Sequence, residues 1–327
     1  MNRRAMLAVA AGFAAALPSL VMLRNGANAQ SWPQRPVKLI VPLGAGSASD
    51  IAARLYAERL STLWGQPVMV ENRPGGDAIV GISAFVGARD DHVLLYAAGA
   101  LFNPHPYTHR NLPYDAQRDL VPIAGLGRAS ISIAANQALK VNSLADLVRL
   151  ARAQPGKLNW AAIASMDDFL FSGFLKQNDL AMTRVPYRNP VDALTDLSEG
   201  RIDILMAALG IVLPRTQDGK VKVLTIVNPQ RSRLLPDVPT AAEAGFPVLT
   251  YEPIGGLFAP SGMPAAVRER IAADLQGVAA DPAIAARVEP NGGIVSFMPA
   301  AEFAASLERE RANLAAVVQM LGVKPTQ

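Results

Sequence analysis

The sequence predicts an α/β fold of two mostly parallel sheets flanked by helices. Short β-branched runs alternate with helical patterns from Val37 onward, the arrangement that builds parallel sheets covered on both faces. Cap and turn residues punctuate both halves of the chain in the same way. With 327 residues, 50% of them apolar, the chain exceeds what one hydrophobic core usually serves, so two domains are expected.

The elements follow in order. Residues 37–41 read as a buried strand. Ser47-Ala48-Ser49-Asp50 has the form of a capping box and opens a helix. On that helix Ile51 and Leu55, then Tyr56, Leu60 and Leu63, fall at three- or four-residue spacing. Gly65 closes it, and residues 68–70 and 93–96 supply further strands. In the second half Ser143 caps a helix whose Leu144, Leu147, Val148 and Ala151 share a face, ended by Pro155-Gly156. Residues 158–163 form a strand. Asn189 caps a helix, Pro190 takes its first turn and Gly200 stops it. Residues 202–206 and 221–227 are strands with a helix between them, and Thr240-Ala241-Ala242-Glu243 is a second capping box. The last third reads as helical, over 264–278, a short piece after Asp281-Pro282, and 299–321. No linker-like composition separates the halves, so short strands near 123–134 and 248–257 should carry the chain across. Residues 30–128 and 254–327 then form lobe 1, and 129–253 lobe 2.

Residues 1–29 have the layout of a cleaved export signal. Arg3 and Arg4 precede an uncharged apolar run over 5–23, and Ala27-Asn28-Ala29 puts small residues before Gln30. A membrane anchor would need a similar apolar length of about 18–20 residues, but Pro18 interrupts this run and an A-x-A site follows at once. Arg3-Arg4-Ala5-Met6-Leu7 fits a twin-arginine signal loosely, which leaves the export route open. The mature protein is expected in the periplasm, beginning near Gln30. Without any cysteine it has neither a lipidation site nor a disulfide. The signal removes Arg3, Arg4 and Arg24 and no acid, which leaves the remainder close to neutral. With no basic run, a nucleic-acid surface is not expected.

Catalytic and metal motifs are sparse. His105 and His109 have the i,i+4 spacing of metal ligands on a helix, but Pro104 and Pro106 argue against a regular helix there. No cysteine can join them, and no metal is assigned. A G-x-S-x-G elbow is absent, no nucleophile–base pair stands out, and no catalytic residue or cofactor is assigned. The segment from Gly44 to Asp50 follows a strand and precedes a helix. It lacks the third glycine of a dinucleotide fingerprint and the Gly-Lys-Ser/Thr of a phosphate loop. Its small residues still admit a ligand to the backbone, and N–H groups at a helix start can receive an anion. A tight turn that simply requires glycine would look the same.

Several motifs in one order resemble the Bug family, the substrate-binding proteins of tripartite tricarboxylate transporters. They are Trp32-Pro33-Gln34-Arg35-Pro36 with Ile40-Val41-Pro42, Glu71-Asn72-Arg73-Pro74-Gly75, Leu112-Pro113-Tyr114-Asp115 and Val185-Pro186-Tyr187. Ala193-Leu194-Thr195-Asp196-Leu197 with Gly200, Pro236-Asp237-Val238-Pro239-Thr240 and Leu257-Phe258-Ala259-Pro260 complete the series. The resemblance implies a two-lobed, periplasmic-binding-protein-like (Venus flytrap) fold with two crossover strands, monomeric, closing on a ligand. It also implies two loops that hold a ligand carboxylate, partly through waters. The first matches Leu43, Gly44, Ala45, Gly46, Ser47, Ser49 and Asp50, with Asp50 expected to order the loop. The second matches Ala161, Ala162, Ile163, Ala164, Asp167 and Asp168.

The second loop departs from the family pattern. A Gly-Ser-x-Gly run is replaced by Ala161-Ala162-Ile163-Ala164, and an Asp-Asn pair further on by Ala207-Ala208. Fewer polar donors, with Asp167 and Asp168 added, should disfavour a second anionic group on the ligand. The expected function is capture of a small carboxylate-bearing solute for the membrane components of a tripartite tricarboxylate-type transporter. The alternatives are a ligand-sensing partner of a membrane sensor kinase, or an enzyme of small-molecule metabolism with its site in the same cleft.

Overall fold

The computed structural model describes residues 32–162, 165–187 and 190–323. The expected export signal, Ile163, Ala164 and the cap Asn189 lie outside the described residues. Strands β1 (Val37–Val41), β2 (Val68–Asn72), β3 (Val93–Ala98), β4 (Leu120–Ala129), β10 (Ile254–Pro260) and β11 (Gly293–Pro299) form a six-stranded sheet in the order β11-β4-β10-β3-β1-β2. Strands β5 (Ile131–Asn136), β6 (Asn159–Ala162), β7 (Thr183–Arg184), β8 (Ile204–Ala208) and β9 (Val221–Ile226) form a five-stranded sheet in the order β7-β6-β8-β5-β9. The helices are α1 (Ala48–Trp64), α2 (Ile79–Ala88), α3 (His105–Thr108), α4 (Ala116–Asp119), α5 (Leu144–Ala153), α6 (Ser165–Gln177), α7 (Pro190–Ser198), α8 (Leu209–Gln217), α9 (Ala265–Ala279), α10 (Pro282–Val288) and α11 (Ala300–Leu321).

The sheets are more mixed in direction than the expected mostly parallel pair. β1 runs parallel to β2 and β3, and β6 runs parallel to β7 and β8. β10 opposes β3 and β4, and β5 opposes β8 and β9. The reversals fall on strands at the crossings, which enter from the other sheet instead of through a helical crossover in their own. Only Ser130 separates β4 from β5. The last third is also not wholly helical. Past Gly292, at φ +76°, the run Gly293–Pro299 adds an edge strand antiparallel to β4.

Local signals explain most of the helix ends. Ser47 Oγ accepts from the Asp50 N–H at 3.2 Å, and Ser143 Oγ from the Asp146 N–H at 3.1 Å. On α1, Leu55, Tyr56, Leu60 and Trp64 are buried while Leu63 is 55% exposed. A 3.6-residue period carries the apolar face from Leu60 to Trp64 and leaves Leu63 outside it. Trp64 meets Trp32 edge-on at 4.9 Å and donates to Asp274 on α9 at 2.8 Å. The Thr240–Glu243 box forms both of its reciprocal bonds, 2.7 and 3.1 Å, yet closes a turn and opens no helix. Gly245, at φ +89°, ends that segment before a second turn can form. Against expectation, His105 to Thr108 make one α-helical turn, because Pro106 lies in its first turn, where a missing N–H costs nothing.

Each sheet is covered on both faces. One face of the larger sheet packs on α1 and α9, the other on α2 and the start of α11, through Phe85, Phe258 and Phe303. The smaller sheet packs on α5 and α6 through Trp160, Phe171 and Phe174, and on α7 and α8 through Leu197 and Val212. Helix α11 serves both: Phe303 and Leu307 join the first lobe's core, and Leu314, Val317 and Val318 join the second's.

Candidate functional site

The carboxyl end of β1 leads through Pro42 into residues 43–47 and the start of α1, facing the second lobe. Asp50 organises this turn. It is 3% exposed, and its Oδ2 accepts from the Gly46 N–H at 2.9 Å and from Arg54 Nε at 3.1 Å. Its Oδ1 accepts from Asn72 Nδ2 at 2.9 Å, and the same Asn72 amide donates to the Leu43 carbonyl at 3.0 Å. Burial alone would raise the Asp50 pKa. The bonds from Arg54, Gly46 and Asn72 outweigh it and hold the carboxyl below its ordinary value. Asp50 therefore faces inward as the loop's organiser.

These internal bonds decide which N–H groups the loop keeps for a ligand. Gly46 is taken by Asp50, and the Ser47 N–H by the Gly44 carbonyl at 3.3 Å. The first helical turn leaves Ala48 and Ser49 without intrahelical acceptors. Gly44, Ala45 and Gly46 are exposed, and Gly46 sits at φ +82°, a conformation that favours glycine.

The second expected loop follows β6. Ala161 and Ala162 are buried in opposite core clusters, so their methyl groups pack inside the lobe and do not form a wall of the cleft. Ala207 is likewise buried, whereas Ala208 is half-buried at the lobe boundary. Asp167 is 3% exposed. Asp168 pairs with Arg184 Nε at 2.5 Å, and burial raises its pKa despite Arg184, helped by the charge of Asp77 from the other lobe. Both acids stand in the first turn of α6, where the helix dipole favours them.

Between the lobes lies a cavity of about 110 Å³, bordered by Ala48 and Ser49 of α1, Tyr96, Arg128, Ala208 and Gly255. Arg128, which sequence reasoning missed, has Glu252 at 3.4 Å. A larger groove of about 1030 Å³, among Arg35, Asp90, Arg118 and Ser261, lies at the opposite strand ends with no contribution from the second lobe. Within it Arg35 pairs with Asp90 at 2.6 Å and Arg118 with Asp119 at 2.8 Å.

A second unanticipated feature is the loop before α2. Gly75, Gly76, Asp77 and Ala78 all have positive φ, strained for the last two. His105 braces it: its Nε2–H donates to the Asp77 carbonyl at 2.8 Å, and its Nδ1 accepts from the Tyr114 hydroxyl at 2.5 Å. Burial pushes His105 down to about 4, so the ring is neutral at pH 7. His109 bonds Thr108 at 2.8 Å, and the two histidines are committed to separate partners.

Comparison with known proteins assigns the chain to a family. Residues 52–323 match the tripartite tricarboxylate transporter family receptor. The chain belongs to this family. A UPF0065 protein of Bordetella bronchiseptica is 32% identical over 91% of this chain and 89% of its own length. Protein BugT of Bordetella pertussis is 31% identical over 72% of this chain and 73% of its own. Among solved structures, a Rhodopseudomonas palustris protein with adipate superposes with a TM-score of 0.81 at 25% identity, covering 90% of this chain and 100% of that one. MatC of the same organism, with bound malate, gives 0.78 at 25% identity, covering 88% and 100%. The chain thus shares the periplasmic-binding-protein fold of this family. No described helix is long and apolar enough to cross a membrane.

Proposed function

We propose that this receptor is exported to the periplasm, captures a small carboxylate-bearing solute between its lobes without transforming it, and presents it to the membrane components of a tripartite tricarboxylate-type transporter. The supporting observation is the Asp50-ordered turn, which sets the open start of α1 against a cavity shared by both lobes. In this reading lobe 1 comprises 30–128 with 254–327, lobe 2 comprises 129–253, and the signal is cleaved near Ala29-Gln30. The ligand carboxylate is received by the Ala48 and Ser49 N–H groups, with Gly44 and Ala45 beside it. Groups of the second loop, after β6, are proposed to complete the ligand's contacts.

The start of α6 already carries Asp167 and Asp168, so a distal ligand group that is neutral, apolar or cationic suits it better than a second carboxylate. The Rhodopseudomonas palustris proteins solved with adipate and with malate hold dicarboxylates. Mass spectrometry of ligand released from natively purified protein tests capture. Calorimetry against mono-, di- and tricarboxylates of matched size tests the class. Binding of a di- or tricarboxylate more than about tenfold tighter than every monocarboxylate, or about 1.4 kcal/mol, overturns the monocarboxylate preference and leaves the capture role standing.

A further inference from the structure

The C-terminal helix α11 is shared between the lobes, and a buried acid sits where its two halves meet. Upstream, Phe303 and Leu307 pack with Phe102 and Phe258 in the first lobe. Downstream, Leu314, Val317 and Val318 pack with Phe171 and Phe174 in the second. The downstream contact is close: a Cβ on Gly173 of α6 would stand 3.0 Å from Val317. Glu310 lies between the halves and is 8% exposed. Its Oε1 accepts from Asn103 Nδ2 at 2.9 Å, and a Cβ on Gly99 would lie 2.8 Å from Oε2. The carboxyl is thus pressed against the segment that follows β3.

Its surroundings suit a carboxylic acid better than a carboxylate. Asn103 Oδ1 and the Tyr251 hydroxyl are both buried without a hydrogen-bond partner. Tyr251 comes from the segment entering β10 and lies in the field of Glu310 and of Asp167 on α6. The cation acting on Glu310 is Arg311, its neighbour on α11, which is also bonded to Glu308 at 2.5 Å. Burial pushes Glu310 up to about 7, against the Asn103 bond and the Arg311 charge. When protonated, Glu310 gains an O–H donor for Asn103 Oδ1, a buried acceptor that otherwise has none. Ionisation instead leaves a buried charge whose hydrogen bond comes from Asn103.

We propose that Glu310 is a proton-operated pivot of the two lobes: protonated, it seats α11 firmly across both, and ionised, it loosens that seat and lets the lobes swing more freely. The sign follows from linkage. The folded-state value lies above the 4.5 of an ordinary Glu. The stabilisation is therefore complete below that ordinary value and is lost as pH rises to about 7.

The chain has no cysteine, so spin labels can be attached through Thr62→Cys and Lys157→Cys, exposed positions on lobe 1 and lobe 2. Interlobe distance distributions and Tm are measured on the full mature chain at about pH 5.5 and about pH 8.5, either side of the transition. The expected result is a broader distribution at the higher pH, with a Tm lower by a few degrees, on the order of 3 °C. Glu310→Gln should give the same distribution at both pH values. The proposal is overturned if the parent distribution does not change with pH, or if the Gln variant changes as much as the parent. Should Glu310→Gln not fold, Glu310→Met serves as the second neutral variant. A carbon NMR titration of the parent adds a direct readout, and a Glu310 carboxyl titrating in the ordinary range would refute the pivot.

Discussion

Asp50 shows how one side chain can set up a binding loop without touching what the loop binds. Its two oxygens gather the Gly46 N–H, Arg54 and Asn72, and through Asn72 the Leu43 carbonyl. Asp50→Ala should lower stability by about 2 kcal/mol, the scale of lost bonds to a buried charge, read by urea unfolding. It should also abolish carboxylate binding, read by calorimetry. Because its folded pKa is depressed, the contribution of Asp50 is present above the ordinary Asp value of 3.8 and disappears as pH falls through the lower folded value. Asp50→Asn should therefore lower stability at neutral pH and change it less below about pH 4, which flattens the acid limb of the profile. An unaltered acid limb would mean that the charge on Asp50 is not what orders the turn.

At the scale of elements, close backbone approach fixes where the loop sits. Gly81 on α2 lies against the chain on either side of the site: a Cβ there would fall 2.7 Å from the Arg73 carbonyl oxygen and 2.8 Å from Pro42 Cα. Both obstacles are backbone, so they cannot swing aside as a side chain would. Gly81→Ala should cost about 1–3 kcal/mol as overpacking and should weaken carboxylate binding, because Pro42 leads directly into residues 43–47. Gly87, on the same helix, has nothing within 4 Å of its would-be Cβ, and Gly87→Ala should be neutral or slightly stabilising. A pair of thermal melts on the two variants checks the contrast. Equal effects at Gly81 and Gly87 would show that packing against Pro42 does not position the turn.

Across the whole molecule, the chain crosses between sheets through Ser130 and through the stretch between β9 and β10, while α11 adheres to both lobes. A ligand that binds only the closed arrangement should stabilise it by RT ln(1 + [L]/Kd), roughly 2.7 kcal/mol at about 100-fold excess. A thermal shift of that origin should be accompanied by a smaller radius of gyration in solution scattering. A shift without compaction would indicate a pocket that is rigid before the ligand arrives. Substitutions along the downstream half of α11, such as Leu314→Ala, should cost about 2–5 kcal/mol. They should also broaden the interlobe distance distribution, since that half is what ties the helix to the second lobe.

The fold class, the alternation of elements and the position of the first loop were legible in the sequence because they rest on local chemistry. Ser47, Ser143 and Asp281 cap the helices they precede, since a cap needs only residues within one turn. Leu63, the Thr240–Glu243 box and β11 show where local signals stop. An apolar residue is buried only if a neighbour covers it, and a capping box becomes a helix only if the chain beyond can continue one. An edge strand such as β11 is decided by a partner, β4, far away in sequence. The site divides in the same way. Spacing marked Gly44 to Asp50, but nothing local reveals that Asp50 consumes the Gly46 N–H, or that Ala161 and Ala207 face the core. The same holds for Arg128 beside Ala48 and Ala208, and for Glu310 brought to Asn103 from 207 residues away. Burial and charge pairing depend on what surrounds a group, and for these residues the surroundings come from distant parts of the chain. The sequence determined the alternation of most elements and the turn that opens α1; the tertiary structure alone decided the edge strand β11 and which polar groups face each other between the lobes.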